Sequence, residues 1–402
     1  MHAAQQQAHF STNPGIDTRQ VPERHAQRAL LHILYPMNIG ILGGGQLGRM
    51  IALAGYPLGF RFRCFDPSPE AVAGHVMPLT VGSFQDIQAL GRFAEGLDLL
   101  TYEFENIPLW AAEFLASQVE MHPSPLALAM SQDRIEEKTF FHSLSIPTAP
   151  FAAIETREQF DLAIETIGLP AVLKTCRLGY DGKGQFVIQS KNDIEAAWNK
   201  LQGVPLILEG FVKFDREVSL ISVQSTSGET RFYPLVQNFH QDGILQRSLA
   251  PAPNLTSELQ TLAEVYATRT LDALEYAGVL AIEFFQKGDK LIVNEMAPRV
   301  HNSGHWTIEG AATSQFENHV RAITGLPLGS TEALGYIGMI NLLGKVPDRS
   351  TILSSQDSAV SAYLHIYGKK ALPGRKLGHI TFISASQYER DQAVNSFANP
   401  TQ

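Results

Sequence analysis

Cysteine is scarce in this chain of 402 residues: Cys64 and Cys176 are the two present, far apart and outside any C-x-x-C spacing. Their scarcity excludes a disulfide framework and a thiolate zinc site and suits a reducing compartment, so a cytoplasmic protein is expected. Long apolar runs are missing as well, and no stretch approaches the ~20 residues needed to span a bilayer. Excess positive charge is also absent. With 31 Lys+Arg against 40 Asp+Glu, the net charge of −9 argues against broad capture of nucleic acid or anionic lipid and leaves room only for local anion sites. The N-terminal stretch "MHAAQQQAHFSTNPGIDTRQVPERHAQ" lacks the basic, apolar and small-residue order of a signal peptide. Residues 1–36 are therefore read as an extension, expected to be disordered and dispensable, because Met37 stands directly before the first clear strand.

What is present fits a globular protein, with 44% hydrophobic and 18% charged residues, and the length predicts two to four modules. "NIGILGGGQLGRMIALAGYPLGF" predicts a strand, a glycine turn and an amphipathic helix, and "RFRCFD" a second strand ending at Asp66. Further helix and strand alternation through "DIQALGRFAEG", "LDLLTYEF" and "PLWAAEFLASQ" predicts a parallel-sheet module running to about residue 130. Prolines in "SIPTAPFAAI" break that pattern. "REQFDLAIETIGLPAVLKTCRLGYDGKGQFVIQ" then predicts a compact α+β unit to about residue 205. "PLILEGFVKFDREVSLISVQ" and "RFYPLVQNFHQDGILQRSLAP" read as antiparallel strands with polar faces, "SELQTLAEVYATRTLDALEYAG" as a long helix, and "VLAIEFFQKGDKLIVNEMAP" as a hairpin. A small β-rich segment closes the chain.

Several motifs carry chemistry. Gly43-x-Gly45-x-x-Gly48 follows a strand and opens a helix, with Asp66 ending the next strand, which is the dinucleotide spacing. The same geometry suits any phosphate or polar ligand at a helix N-terminus. A second glycine-rich stretch lies between two strands. Gly179, Gly182 and Gly184, with Lys174 and Lys183, can fold over a triphosphate, although a plain β-hairpin uses the same turn residues. Glu283 and Glu295 sit in otherwise apolar strands joined by "KGDK". A three-residue loop register makes them diagonal neighbours on one face, where two carboxylates can share Mg²⁺, and puts Asn294 on the opposite face unless a bulge turns it. A solvated outer face is the bland alternative. In "NEMAPRVHNSGHW", Arg299 can grip an anion bidentately, Asn302 and Ser303 can orient it, and His301 and His305 can donate to an oxyanion or manage a proton. Lys369, Lys370, Arg375 and Lys376 surround a Pro-Gly turn that can receive a phosphate monoester or simply be solvated.

Together, "GGGQLGRM", "GYDGKGQ", "HQDGILQRS", "APRVHNSGHWT" and "PGRKLGH" resemble, in order, the ATP-grasp superfamily and, within it, the 5-(carboxyamino)imidazole ribonucleotide synthetases of de novo purine (IMP) biosynthesis. The resemblance runs from about Met37 to His379. It implies an α/β and α+β protein with an ATP-grasp fold: a Rossmann-like N-terminal domain at 37–130, a lid at 131–205, a main domain at 206–345 and a C-terminal β-rich segment at 346–402. It also implies ATP held by Arg134, Lys174, Gly179, Tyr180, Asp181, Gly182, Lys183, Gly184, Gln185, Glu209, Gly210, Phe211, Val212, Glu217, His240, Asn294 and Glu295, with Mg²⁺ on Glu283 and Glu295. Aminoimidazole ribonucleotide falls to Gly45, Gln46, Leu47, Glu103, Arg299, Asn302 and Ser303, with its phosphate near Lys369 and Arg375.

The implied reaction joins bicarbonate to that substrate through carboxyphosphate, releasing ADP and phosphate, with Arg299, His301, Asn302, Ser303 and His305 at the reacting end. A homodimer is expected, without nucleic-acid or membrane partners. The chain ends soon after His379, so a separate mutase is expected to take the product. A formate-using glycinamide ribonucleotide transformylase, a biotin carboxylase, an NAD-dependent dehydrogenase and a non-catalytic nucleotide-binding module are the rival readings.

Overall fold

The computed structural model describes residues 37–179, 184–347 and 359–398; the expectations for residues 1–36 and for Tyr180, Asp181, Gly182 and Lys183 lie outside the described residues. The chain begins with β1 (Asn38–Leu42), α1 (Gln46–Gly55), β2 (Arg61–Asp66), β3 (Leu79–Val81), α2 (Ile87–Ala94) and β4 (Leu99–Tyr102). The four strands pair in parallel in the order β3-β2-β1-β4. Every residue of β4 is buried, as a strand covered on both faces requires. Helix α1 buries Leu47, Met50 and Ile51, one face of a 3.6-residue period, and Asp86 caps α2 by accepting from the Gln88 and Ala89 amides at 3.0 Å.

Helices α3 (Leu109–Ala116), α4 (Pro125–Gln132) and α5 (Arg134–Ser143) lead into a small antiparallel sheet. It is built from β5 (Phe151–Ile154), α6 (Arg157–Ile167), β6 (Ala171–Thr175), β7 (Gln185–Ile188), α7 (Ile194–Leu201) and β8 (Leu206–Gly210), with strand order β5-β8-β6-β7. Strand β8 carries this sheet past the expected boundary at 205. Phe160, Leu173, Ile188 and Leu208 form its core under the two helices.

The third sheet has nine strands and runs β14-β13-β9-β11-β12-β15-β17-β16, with β10 on β9. Its elements are β9 (Arg216–Gln224), β10 (Thr230–Phe232), β11 (Val236–Gln241), β12 (Ile244–Ala250), α8 (Ser257–Ala273), β13 (Gly278–Lys287) and β14 (Lys290–Ala297). They are followed by α9 (Thr307–Gly310), α10 (Gln315–Thr324), β15 (Tyr336–Leu343), β16 (Val360–Ile366), β17 (Lys376–Ser384) and α11 (Gln387–Ala398). The C-terminal strands thus continue the large sheet through the pairing of β12 with β15.

Both faces of the large sheet are covered. Val218 and Leu220 of β9 pack with Leu259, Ala263 and Leu271 of α8, while Ile221 and Val223 share a core with Met50, Ile51, Trp306 and Phe316. The polar residues that the sequence placed on these strands are thereby packed inside. Ser219 of β9 is buried under the loop after β14, where it bonds Ser303, while Ser222 and Gln224, on the opposite face, are buried with their side chains bonded to the Leu280 carbonyl and to Thr230, so hydrogen bonds replace water on both faces. Among the described residues no helix is long and apolar enough to cross a membrane.

Candidate active site

A cavity of about 280 Å³ lies where the three sheets meet. Gln46 and Leu47 reach it from the start of α1, Glu105 from the loop after β4, Arg134 and Gly179 from the small-sheet side, and Glu295, Arg299, His301 and Asn302 from β14 and its following loop. Lys376, at the start of β17, closes it. Of these, Glu105 is not marked as a ligand by its sequence motif, and neither is Glu137, which also lines the wall, whereas Lys376 belongs to the basic turn read as a phosphate site.

The two glutamates are closer partners than the sequence spacing suggests. Lys287 pairs with Lys290 across a two-residue turn, and the register then shifts between Glu283 and Phe284, so that Glu283 lies directly opposite Glu295. The expected diagonal register is corrected by this bulge: Val293 pairs with Phe284, and Asn294 is the extra residue. Burial, and then the facing Glu295, raise the Glu283 carboxyl above its ordinary range, while His240 opposes the shift. Two carboxylates facing each other form a site that favours a cation. The ion pair of Arg134 Nη1 with Glu295 Oε2 at 3.2 Å partly supplies one, and His301 Nε2 lies 3.6 Å from Glu283 Oε1. Among the described residues no group of three or more His, Cys, Asp or Glu could hold a metal, so these two carboxylates would need further oxygen ligands from a substrate or water.

On the small-sheet side, buried charges are paired. Glu209 Oε2 takes Lys174 Nζ at 3.0 Å and Lys138 Nζ at 3.4 Å. Burial pushes the Glu209 carboxyl up, but the two ammonium groups together hold it below its ordinary value. Lys138 also donates to the Asn294 carbonyl at 3.2 Å, tying α5 to the bulge. Glu137, beside it, accepts from the Met296 amide at 2.7 Å, and burial with the nearby Glu295 pushes its carboxyl up to about 8. Sequence motifs miss Glu137 and Lys138; the local signal is a cluster of four charged residues in "RIEEKTFF".

Gln185 begins β7 opposite Lys174, and the Gly184 carbonyl accepts from the Thr175 amide at 2.9 Å. The Gly210 and Phe211 amides bond to the Pro150 and Pro170 carbonyls, at 2.8 and 3.0 Å, while the Phe211 side chain is exposed and Val212 half-buried. On the neighbouring strands β11 and β9, outside the cavity lining, His240 Nδ1 and Glu217 Oε2 are 2.9 Å apart. Burial disfavours the imidazolium, yet Glu217 keeps it above its ordinary range.

The loop after β14 divides its residues. The guanidinium of Arg299 is already gripped bidentately by Glu105, Nε to Oε2 at 2.5 Å and Nη2 to Oε1 at 3.1 Å, so the Nε/Nη2 edge of its fork is taken. Asn302 lines the cavity with both amide atoms buried and without a hydrogen-bond partner among the described residues. Ser303 is buried between Ser219 and His301. His305 does not reach the cavity wall; it is fully buried beside His379 and Phe316, and burial followed by His365 pushes its imidazole well down. The sequence motif groups His305 with the reacting residues, and packing beneath the loop separates it from them.

The glycine turn is also engaged. Its Gly45 and Gly48 amides both donate to the Glu103 carboxylate, the latter at 2.7 Å, and Gly44 N donates to Asp66 Oδ2 at 2.7 Å. Carboxylates of the protein therefore occupy the positions a dinucleotide pyrophosphate and ribose would take. Burial raises Glu103, and the two amides and Lys369 pull it back. Arg375 is exposed and bonds the Lys370 carbonyl at 3.3 Å, away from the cavity wall.

The fold and the cavity define a protein of the ATP-grasp class. Residues 139–316 match the ATP-grasp domain, residues 37–132 the ribonucleotide synthetase preATP-grasp domain, and residues 338–393 the phosphoribosylaminoimidazole carboxylase C-terminal domain. The chain is 49% identical over 351 residues to the N5-carboxyaminoimidazole ribonucleotide synthase of Pseudomonas aeruginosa, covering 87% of this chain and 96% of that relative. Among solved structures, the N5-carboxyaminoimidazole ribonucleotide synthetase of Thermus thermophilus is 53% identical with a TM-score of 0.86, over 90% of this chain and 98% of that one. The Aspergillus clavatus synthase, in complex with ADP and 5-aminoimidazole ribonucleotide, is 31% identical with a TM-score of 0.83, over 90% and 98% of the two chains. The chain belongs to the N5-carboxyaminoimidazole ribonucleotide synthase family.

Proposed function

We propose that this chain carboxylates 5-aminoimidazole ribonucleotide with bicarbonate and ATP, giving N5-carboxyaminoimidazole ribonucleotide, ADP and phosphate in purine biosynthesis. The observation that carries this reading is a cavity lined by Glu295, which faces Glu283 across the hairpin, by Gln46 and Leu47 beside the glycine turn, and by the Arg299–Asn302 loop. One end is suited to a nucleotide's phosphates and the other to a small carboxyl group and its acceptor.

The donor set fits a magnesium ion. Glu283 and Glu295 face each other and would hold it, and a bound ion there supplies charge neutralisation for the triphosphate. Lys174 and Arg134, held by Glu209 and Glu295, are pre-oriented toward phosphate oxygens, so little ordering is left to do when nucleotide binds. Glu209 to Val212 and the Glu217–His240 pair lie on the strands flanking that end and are the proposed nucleotide contacts, together with the glycine-rich loop around Gly179 to Gln185. Arg299, its Nε/Nη2 edge fixed by Glu105, presents positive charge, while Asn302 and His301 are the proposed hydrogen-bonding partners of the carboxyl group. Gln46 and Leu47, with Lys369 and Arg375 on the basic turn, are proposed to receive the ribonucleotide.

Closure of the small sheet over the cavity would exclude water from the reactive acyl phosphate. We further propose a cytoplasmic homodimer whose product passes to a separate mutase. The test is ADP release with and without the two co-substrates. Stimulation that requires both aminoimidazole ribonucleotide and bicarbonate is expected; equal release with formate and glycinamide ribonucleotide, or none with either pair, would remove this reading.

A further inference from the structure

A line of buried hydrogen bonds crosses three neighbouring strands and ends on His301. Ser248 Oγ on β12 donates to Asn238 Oδ1 on β11 at 2.8 Å, and Asn238 Nδ2 donates to Ser219 Oγ on β9 at 2.9 Å. Ser219 Oγ donates to Ser303 Oγ at 2.8 Å, and Ser303 Oγ lies 2.8 Å from His301 Nδ1. Ser248, Asn238, Ser219 and Ser303 are all buried, so water does not compete along the line.

The direction of the chain is fixed at both ends. A hydroxyl has one proton to give, and Asn238, accepting from Ser248 and donating to Ser219, sends every donation toward His301. Independently, the backbone amide of Ser303, a donor that cannot reverse, points at the same Nδ1 from 3.3 Å, because His301 caps the short helical turn Asn302–Gly304. Nδ1 is therefore an acceptor, and the neutral ring carries its proton on Nε2. Nε2 is the nitrogen on the side of Glu283, at 3.6 Å, and His301 lines the cavity.

We propose that Ser303, Ser219 and Asn238 are positioning residues that lock His301 in the Nε2–H tautomer, making it a hydrogen-bond donor to a carboxylate-type oxygen in the cavity and not a base at that nitrogen. The reactive role rests on the carboxylation reading above; the tautomer does not. A donor aimed at a carboxyl oxygen stabilises negative charge there, whereas a lone pair would repel it. The amine proton lost when the carbon–nitrogen bond forms must then leave by another group or by phosphate.

The experiment is ¹⁵N–¹H correlation of histidine-labelled full-length protein without substrates, with the His301 signals assigned by His301→Asn. The expected spectrum has an acceptor-type Nδ1 and a protonated Nε2. Ser303→Ala, which leaves only the longer amide bond at Nδ1, and Asn238→Asp, which loses the donor end, should both lower the Nε2–H fraction measurably without abolishing it; Ser219→Ala replaces Asn238→Asp if the latter does not fold. In the same variants, carboxylated product per ATP consumed should fall about tenfold or more while the KM for ATP moves less than about twofold. A protonated Nδ1 in the wild type, or an unchanged single tautomer in the variants, would overturn the lock. A locked wild type showing no substrate-stimulated ADP release would uphold the lock and remove the carboxylation reading instead.

Discussion

Glu283 and Glu295 illustrate how much one backbone irregularity decides at the residue scale. The chain order of the hairpin was legible because apolar alternation and a Gly-Asp turn mark it, but the bulge that sets Glu283 directly against Glu295 is not marked by any turn residue. Glu283→Gln should lower magnesium-dependent ADP release by about 100-fold or more, the scale of losing several kcal/mol of charge stabilisation. Its melting temperature in EDTA should not fall, because one of two facing carboxylates has become neutral. Glu209 behaves oppositely. Glu209→Ala leaves Lys138 and Lys174 buried without their shared counter-ion, and a loss of about 3–5 kcal/mol in urea unfolding is expected. Arg299 was readable as an anion-binding residue, yet its partner Glu105 is 194 positions away, so nothing local announces that one edge of its fork is taken.

Helix α10 performs a joining role at the scale of elements. His319 on that helix accepts from the Val279 amide of β13 at 3.1 Å and places Nε2 2.9 Å from Thr101 Oγ1 of β4, linking the parallel sheet to the large one. Burial pushes its imidazole down to about 3, from an ordinary value of 6.5. Between those values the unfolded chain binds a proton that the folded chain refuses, so the stability due to His319 is complete above about pH 6.5 and is lost as pH falls toward 3. His319→Gln should be less stable at pH 8 by about 1–3 kcal/mol, for two disturbed hydrogen bonds. Its deficit against the wild type in urea midpoints should narrow from pH 7 to pH 5. Helix α1, its cap region and the β1-α1-β2 unit were legible from period and glycine spacing alone. The use of the glycine turn was not, because Glu103 reaches it from the end of β4, 58 residues after Gly45.

At the scale of the whole molecule the site is a product of assembly. Every described residue lining the cavity lies at Gln46 or beyond, and a chain starting at Met37 should keep wild-type kcat within about twofold and an unchanged melting temperature. MgADP should raise the melting temperature of the full chain, as ligand binding to the folded state alone must, and should do so far less in Glu283→Gln. The sequence by itself determined the succession of a parallel module, a small α+β module and an antiparallel hairpin-rich module, and the residue types of the metal-type pair and of the Arg299–Asn302 loop. Those follow from hydrophobic period and turn chemistry, which act over a few residues. Only the tertiary structure decided that Glu105 grips Arg299, that Lys138 and Lys174 share Glu209, that His305 is buried away from the cavity, and that Ser219 and Asn238 stand behind His301. Each of these is a contact between side chains distant in sequence, selected because a buried charge or hydroxyl must find a partner once water is excluded.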